Sequence, residues 1–220
     1  MSSATQALQI LSISTSLLAA GGIASLSLFN IPLLKSQPAS RSLPSLRWLF
    51  SRGSHIFPTA AGLSSSGFAY LAYTSLPPSP GPSTSISTTL RHACAGKPGM
   101  YAAAAVLCIS IAPITGFMVP TNFELIAKNE QLGGTRSAAS AQHRASVGSK
   151  TRSAEESVDS KDDVSQWTDL SVPQEKTEKE SGAEMDREVR VLLDKFSKLN
   201  MVRAVAIGVG GVVGLMGALA

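Results

Sequence analysis

Four stretches of the chain are nearly uncharged and long enough to cross a membrane as helices. A helical span needs about 20 mostly apolar residues, because each residue advances about 1.5 Å through about 30 Å of hydrocarbon. We predict spans at about 7–34, 54–76, 100–119 and 201–220. No basic residue precedes the first stretch, as it would in a signal peptide, so we expect that stretch to be retained.

A long polar segment follows the third predicted span. Residues 128–184 are rich in Ser, Gly, Glu and Lys, and Trp167 is their only aromatic residue. Such a composition buries too little apolar surface to offset the entropy lost on ordering, so we predict a disordered insertion. Beyond it, apolar residues recur at helical spacing and predict an amphipathic helix from 185 into the fourth span: Met185, Val189, Leu192, Leu193, Phe196 and Leu199.

These patterns predict an all-α protein, a four-transmembrane-helix bundle with a long disordered loop between helices 3 and 4. Residues 1–127 would hold the first three spans and residues 185–220 the amphipathic helix and the fourth span. The loop 35–53 carries four Lys or Arg residues and the loop 77–99 carries two. The positive-inside rule therefore places the loops 35–53 and 120–199 in the cytosol and both termini in the lumen.

The distribution of charge excludes a nucleic-acid-binding protein. Charged residues make up only 15% of the chain, and all 15 acidic residues lie between Glu124 and Asp194. The net charge of +4 arises from a few basic residues in each loop, and no basic stripe with interleaved aromatic residues is present. The expected partners are the lipid bilayer and a hydrophobic ligand, with a homo-oligomer left open.

Asn200 and Arg203 are candidate functional residues at the start of the fourth span. Polar side chains at membrane depth are costly, and three residues of spacing put these two on one helical face. Arg203 could point into the bundle, or its guanidinium could snorkel to the lipid headgroups.

His55 and Asn122 are candidates at the ends of the second and third spans. Imidazole titrates near neutral pH, so His55 could abstract a proton, although it could also be an ordinary interfacial residue. Thr121 and Glu124 form a capping-box pattern after Pro120, which predicts a new helix with Asn122 in its first turn. Free N–H groups there would favour an anion, although a plain cap is the simpler interpretation.

Small residues in the fourth span predict close helix packing. Gly210-x-x-x-Gly214 allows two helices to approach, and Gly21-x-x-x-Ser25 in the first span is the expected complement. Cys94 and Cys108 lack metal-ligand spacing, and no dinucleotide or Walker fingerprint is present, so we expect no metal and no tightly bound cofactor.

Three motifs together resemble those of the DUF1772 family of small four-helix membrane proteins. The first is Trp48-Leu49-Phe50-x-Arg52-Gly53, followed by Pro58 and Tyr70-Leu71-Ala72-Tyr73. The second is Pro120-Thr121-Asn122-x-x-Leu125, and the third is Leu199-Asn200-x-Val202-Arg203. The resemblance covers the four spans but not 130–185. Where the family pattern has an aromatic residue, often Trp, three positions before the Leu-Asn pair, this chain has Phe196.

The resemblance implies a membrane-bound, cofactor-independent anthrone oxygenase, since fungal members of this family oxidise an anthrone to an anthraquinone with O2 in aromatic polyketide pathways. It implies His55 as the base, Asn122, Asn200 and Arg203 as ligands of the oxyanion, and Trp48 and Phe196 as substrate-binding residues. We expect a multi-pass protein of the endoplasmic reticulum or another endomembrane. The alternative is a non-catalytic membrane scaffold or transporter-associated protein whose insertion binds a partner.

Overall fold

The computed structural model describes residues 2–76, 94, 96–148, 151–159 and 161–220, and every regular element in these residues is a helix. The α-helices are α1 Ser3–Ser25, α2 Ile31–Lys35, α3 Ala39–Thr74, α4 Gly96–Ile109, α5 Ile111–Gln131, α6 Ala138–Val147, α7 Ala154–Asp159 and α8 Ala183–Leu219. The all-α prediction is confirmed. Of the predicted loop 77–99, residues 77–93 and 95 lie outside the described residues.

Three helical stretches among the described residues are long and apolar enough to cross a membrane. They are Ser3–Lys35, which runs from α1 through α2, Gly96–Gln131, which contains α4 and α5, and Ala183–Leu219, which is α8. Although α3 has 36 residues, it is not one of these three. Its first half carries three arginines and its second half is rich in Ser and Gly. The predicted second span, 54–76, therefore stays a prediction.

A π-helix, Leu26–Asn30, joins α1 to α2. The backbone N–H of Ile31 donates to the carbonyl of Leu26, five residues earlier, instead of the usual four. The next residue, Pro32, has no N–H to continue the regular ladder, which accounts for a shift of hydrogen-bond register at this point. The wider turn places Ser27 in the interior.

The break in the third apolar stretch lies at Ser110 and not at Pro120. Pro113 lies in the first turn of α5, where its missing N–H leaves the Ile109 carbonyl without a helical partner, so α4 ends at Ile109. Helix α5 then continues through Pro120 to Gln131. The predicted helix start at Thr121, with its capping box, is therefore wrong.

The first of two compact units draws on Met1–Ala24, Phe57–Thr115 and Met201–Ala220. Its apolar core combines residues of α1, the second half of α3, α4 and the end of α8, and includes Ile23, Phe68, Leu71, Tyr101, Cys108 and Ile207. One polar pair lies inside this unit, where the side-chain amide of Gln9 donates to the Tyr101 hydroxyl at 2.6 Å. Both side chains are buried, so each satisfies the other.

Glycines of α8 make close helix contacts in this unit. A Cβ at Gly214 would lie 2.3 Å from Cε1 of Phe68, and one at Gly210 would lie 3.0 Å from Sγ of Cys108. The predicted close packing of the fourth apolar stretch is confirmed. Gly21 is not part of the predicted complement, because a Cβ there would meet no atom within 4 Å. Helix α1 does meet the α8 glycines, but through other residues: a Cβ at Gly211 would lie 2.6 Å from Oγ of Ser16.

The second unit draws on Ser25–Ile56 and Gly116–Asn200. The first half of α8 turns its apolar stripe into this unit, as its periodicity predicts. The core that it joins is built from Ile31, Leu34, Leu43, Leu46, Met118, Leu125, Val189, Leu193 and Phe196. Helix α8 begins at Ala183, close to the predicted start at 185, and is continuous to Leu219.

The predicted disorder of 128–184 is not confirmed, because its described residues carry α6, α7 and a network of buried charges. The Arg144 guanidinium binds both carboxylate oxygens of Glu130, at 2.9 and 3.0 Å. Asp163 accepts hydrogen bonds from Ser140 at 2.6 and 2.7 Å and pairs with Arg152 at 3.2 Å. The segment gains order from paired charges, which a count of its apolar residues does not register.

The last part of the segment is hydrogen-bonded to the start of α3. The Thr177 backbone N–H donates to the Ser40 carbonyl at 2.8 Å, and the Ser40 hydroxyl donates to Glu180 at 3.0 Å. The Asp186 carboxylate accepts from the Ala39 N–H at 2.7 Å and so satisfies a free donor at the N-terminus of α3. Both ends of the polar segment are therefore held within the second unit.

We predict that Gly214→Ala lowers the free energy of unfolding in detergent micelles by about 1–3 kcal/mol, because the new methyl group would overlap the buried Phe68 ring. Gly21→Ala is the matched control, since it adds the same methyl group in a helix where no atom lies within 4 Å. Thermal unfolding followed by circular dichroism compares the two variants. Equal stabilities would contradict the packing described here.

Candidate functional site

Trp48, Arg52 and His55 lie on one face of α3. Their spacings of four and three residues bring the side chains into one row along the helix. The Arg52 guanidinium carbon lies 5.0 Å from the centroid of the Trp48 ring, which is a cation–π distance. This row, called the α3 face below, combines an aromatic surface, a fixed positive charge and a titratable imidazole.

Residues 164–172, called the covering loop below, lie against the α3 face. The carbonyl of Ser171 accepts hydrogen bonds from Nε1 of Trp48 at 2.9 Å and from Nη2 of Arg52 at 3.2 Å. The rings of His55 and Trp167 lie against each other in a tilted arrangement, with centroids 3.9 Å apart and an interplanar angle of 33°. The loop thus contacts all three residues of the row.

Asp169 fixes the conformation of the covering loop. Its buried carboxylate accepts from the Ser137 hydroxyl at 2.5 Å and from the N–H and hydroxyl of Ser171 at 2.9 and 2.6 Å. Burial alone would raise the pKa of Asp169, but these hydrogen bonds outweigh it and hold that pKa below its usual value. Ser137 is also the N-cap of α6, so the loop is tied to the start of that helix.

Arg47 lies beside this row and is buried. Its Nη2 donates to the carbonyl of Ser157 at 2.8 Å, which links α3 to the end of α7. Burial, reinforced by the positive charge of Arg136, lowers the pKa of Arg47 from its usual 12.5 to about 10. The guanidinium therefore stays charged at neutral pH and adds a positive field behind the α3 face.

Asn200 belongs to a second polar group, formed by α8 and the π-helix. Its side-chain amide is fully buried and donates to the Ser27 hydroxyl at 3.1 Å. The Ser27 hydroxyl in turn donates to the carbonyl of Ser197 at 3.0 Å. The π-helix thus supplies the serine that orients Asn200, and π-helical turns are frequent at functional sites.

Asn122 lies inside α5 and not at a helix start, so the predicted anion site at free N–H groups is wrong. Its side chain is half-buried, and within the described part of the chain its Oδ1 atom is inaccessible to solvent and has no hydrogen-bond partner. The Oγ1 atom of the neighbouring Thr121 is in the same state. The middle of α5 therefore carries two buried oxygen atoms, Oδ1 of Asn122 and Oγ1 of Thr121, that make no hydrogen bond to the described residues.

The two remaining predicted residues, Phe196 and Arg203, are buried. The Phe196 ring lies in the core of the second unit, 5.1 Å from the Phe50 ring. Arg203 belongs to the first unit and is 8% exposed, which favours the interpretation that it points into the protein over the one in which it snorkels. The structure therefore brings Trp48 and His55 onto one surface and places the other predicted residues elsewhere, Asn122 on α5 and Phe196, Asn200 and Arg203 on α8.

Sequence reasoning missed Arg52, Trp167, Ser171 and Ser27. Arg52 shares the helical spacing of Trp48 and His55, which was a usable signal. A single tryptophan in a polar segment was the only sign of Trp167, and nothing in the sequence pairs Ser27 with Asn200. Within the ranges that the structure describes, no group of three His, Cys, Asp or Glu side chains could hold a metal ion.

A family model described as Anthrone oxygenase matches residues 47–213. The matched range contains all six predicted site residues, Trp48, His55, Asn122, Phe196, Asn200 and Arg203, as well as the covering loop. No curated protein and no solved structure shows significant similarity to the chain.

We predict that the covering loop opens in acid. Because the folded-state pKa of Asp169 lies below 3.8, its ionised form stabilises the loop fully above about pH 4, and this contribution is lost as pH falls through the lowered pKa. Both tryptophans of the chain contact the loop or belong to it, so their emission in detergent should shift to longer wavelength.

Asp169→Asn should weaken the closed loop at neutral pH and remove the acid step, while Asp162→Asn, which makes the same charge change at an exposed position, should behave as wild type. An acid step that survives in Asp169→Asn would refute the role of this carboxylate.

Proposed function

The chain belongs to the anthrone oxygenase family, and we propose that it oxidises an anthrone to an anthraquinone with molecular oxygen in aromatic polyketide biosynthesis. The family predicted from the three sequence motifs is confirmed. The observation that carries the proposal is the family match over residues 47–213, which includes the α3 face and the polar residues of α5 and α8.

The proposed reaction needs a base and a stabiliser of negative charge. Loss of one proton from the methylene carbon of the anthrone gives an electron-rich anthrolate, which combines with O2 to form a carbon-bound peroxide. Loss of the second proton from that carbon, with cleavage of the O–O bond, releases water and leaves the new carbonyl. One O2 thus supplies one oxygen atom to the product and one to water. The enzyme's task is proton transfer and charge stabilisation.

His55 is the proposed base. It is the titratable member of the α3 face, and its ring is held by stacking on Trp167. Ring stacking occupies a face of the imidazole, while proton transfer takes place in the ring plane, so the contact with Trp167 is compatible with a role as base. Trp48, with its indole fixed by the Ser171 carbonyl, is the proposed aromatic contact for the substrate.

Asn122 and Asn200 are the proposed donors to the anthrolate oxygen. Asn122 would donate through its Nδ2 group, and the fixed orientation of Asn200 by Ser27 supports the role of Asn200. Preorganised amide donors suit an oxyanion because they need no reorientation as the charge develops. The role of Arg203 is tested by its own alanine variant. Phe196 is buried in the core of the second unit, so in this proposal it packs behind the site and does not contact the substrate.

We further propose that α3 supplies a fourth span at about 54–74. The evidence for membrane residence is the set of three helical stretches that meet the length and composition of spans. A fused-ring substrate dissolves in the bilayer, so an enzyme of an endomembrane such as the endoplasmic reticulum could receive it from the lipid. The proposed reaction uses O2 as co-substrate and no bound cofactor.

We predict that His55→Gln lowers anthrone-dependent oxygen uptake by about 100-fold or more in microsomes, the scale of a lost general base. His143→Gln is the control, since it makes the same change in α6 and should keep the wild-type rate. Asn122→Ala, Asn200→Ala and Arg203→Ala are measured alongside.

The spontaneous oxidation of the anthrone in blank microsomes is subtracted in every case. A wild-type rate no greater than the blank would refute the oxygenase proposal. Full activity in His55→Gln would refute the assignment of the base while leaving the oxygenase itself intact.

A further inference from the structure

Trp167 is an exposed aromatic residue on a fixed loop. The residue is 74% exposed, and two further apolar residues of the loop, Leu170 and Val172, are 92% and 67% exposed. The backbone beneath them is held by the Asp169 hydrogen bonds and by the bond from the Ala138 N–H to the Val172 carbonyl, at 2.9 Å. Exposed apolar groups on a polar, well-anchored segment mark a surface that binds an apolar partner.

The position of Trp167 ties this surface to His55. The 3.9 Å centroid separation means that the indole covers a face of the imidazole, while Trp167 as a whole remains exposed. An aromatic ligand that overlaps the outward part of the indole would lie next to the edge of the imidazole. Offset stacking of this kind is the preferred arrangement of aromatic pairs.

We propose that Trp167 is a specificity-determining residue, on which a flat, fused-ring substrate stacks so that its methylene carbon meets the edge of His55. This inference rests on the proposed function. A fused tricycle can cover the indole and still extend to the imidazole edge, whereas a single ring cannot do both. Trp167 thus selects for fused-ring substrates, and the exposed Leu170 and Val172 extend the apolar surface around it.

The test compares Trp167→Ala and Trp167→Phe with Val147→Ala, which truncates an exposed apolar side chain of α6, outside the covering loop. For a tricyclic anthrone, Trp167→Ala should raise KM about tenfold, the scale of a lost stacking contact, with kcat changed much less. Trp167→Phe should restore most of the loss, and Val147→Ala should keep the wild-type KM. A change in kcat alone, or a failure of Trp167→Phe to rescue, would overturn the stacking role.

Two controls separate this inference from loop unfolding and from the proposed function. Trp48 is the sole tryptophan left in Trp167→Ala. An unchanged emission of Trp48 would show that its hydrogen bond to the Ser171 carbonyl, and so the closed loop, is kept. A shifted emission, together with no rescue of KM by Trp167→Phe, counts against the stacking role. Binding of the product class, an anthraquinone, is followed by quenching of tryptophan emission in Trp48→Phe, where Trp167 is the only emitter.

Turnover by wild type with an unchanged KM in Trp167→Ala would refute the inference and leave the oxygenase proposal standing. Quenching of Trp167 without turnover would support the stacking surface and refute the oxygenase proposal. Absence of both turnover and quenching would refute both.

Discussion

The two-point ion pair between Glu130 and Arg144 is the interaction on which the organisation of the second unit depends. Glu130 lies at the end of α5 and Arg144 in α6, so the pair pins the first helix of the polar segment to α5. The start of α6 then presents Ser137 to Asp169, and Asp169 sets the covering loop against the α3 face. If Arg144 lost its partner, its buried charge would be uncompensated. The start of α6, and with it Ser137 and the covering loop, would then no longer be held in place.

Charge pairing explains how so polar a segment can fold without a large apolar core. Burying a charge is costly, but the cost falls when an opposite charge is close and further hydrogen bonds are made. The carboxylate of Asp163, for example, pairs with Arg152 and accepts a hydrogen bond from Ser140. The same network includes Arg47 of α3, whose pKa is lowered to about 10 by burial and by the positive charge of Arg136. The charges that order the segment thus also act on the α3 helix.

The helices of the apolar stretches could be predicted from the sequence because each follows from local hydrophobicity and helical spacing. The break at Ser110 agrees with the local signal of Pro113, which interrupts the third apolar stretch, whereas Pro120 carries the same signal and yet lies inside α5. The order of 128–184 was missed because Glu130 meets Arg144, and Asp163 meets Arg152, through folding and not through a pattern. In the site, the seven-residue spacing of Trp48 and His55 is a local signal that could have placed both on one helical face, while the contact of His55 with Trp167 joins distant parts of the chain.

Hydrogen exchange of the full-length protein in detergent, read by mass spectrometry over 134–148 and 164–180, tests most directly whether the polar segment is a folded cover of the α3 face. We predict protection of amides such as those of Ala138 and Thr177, which donate to the Val172 and Ser40 carbonyls, by at least about tenfold over an unstructured chain. Exchange across both ranges at the rate of an unstructured chain would contradict it.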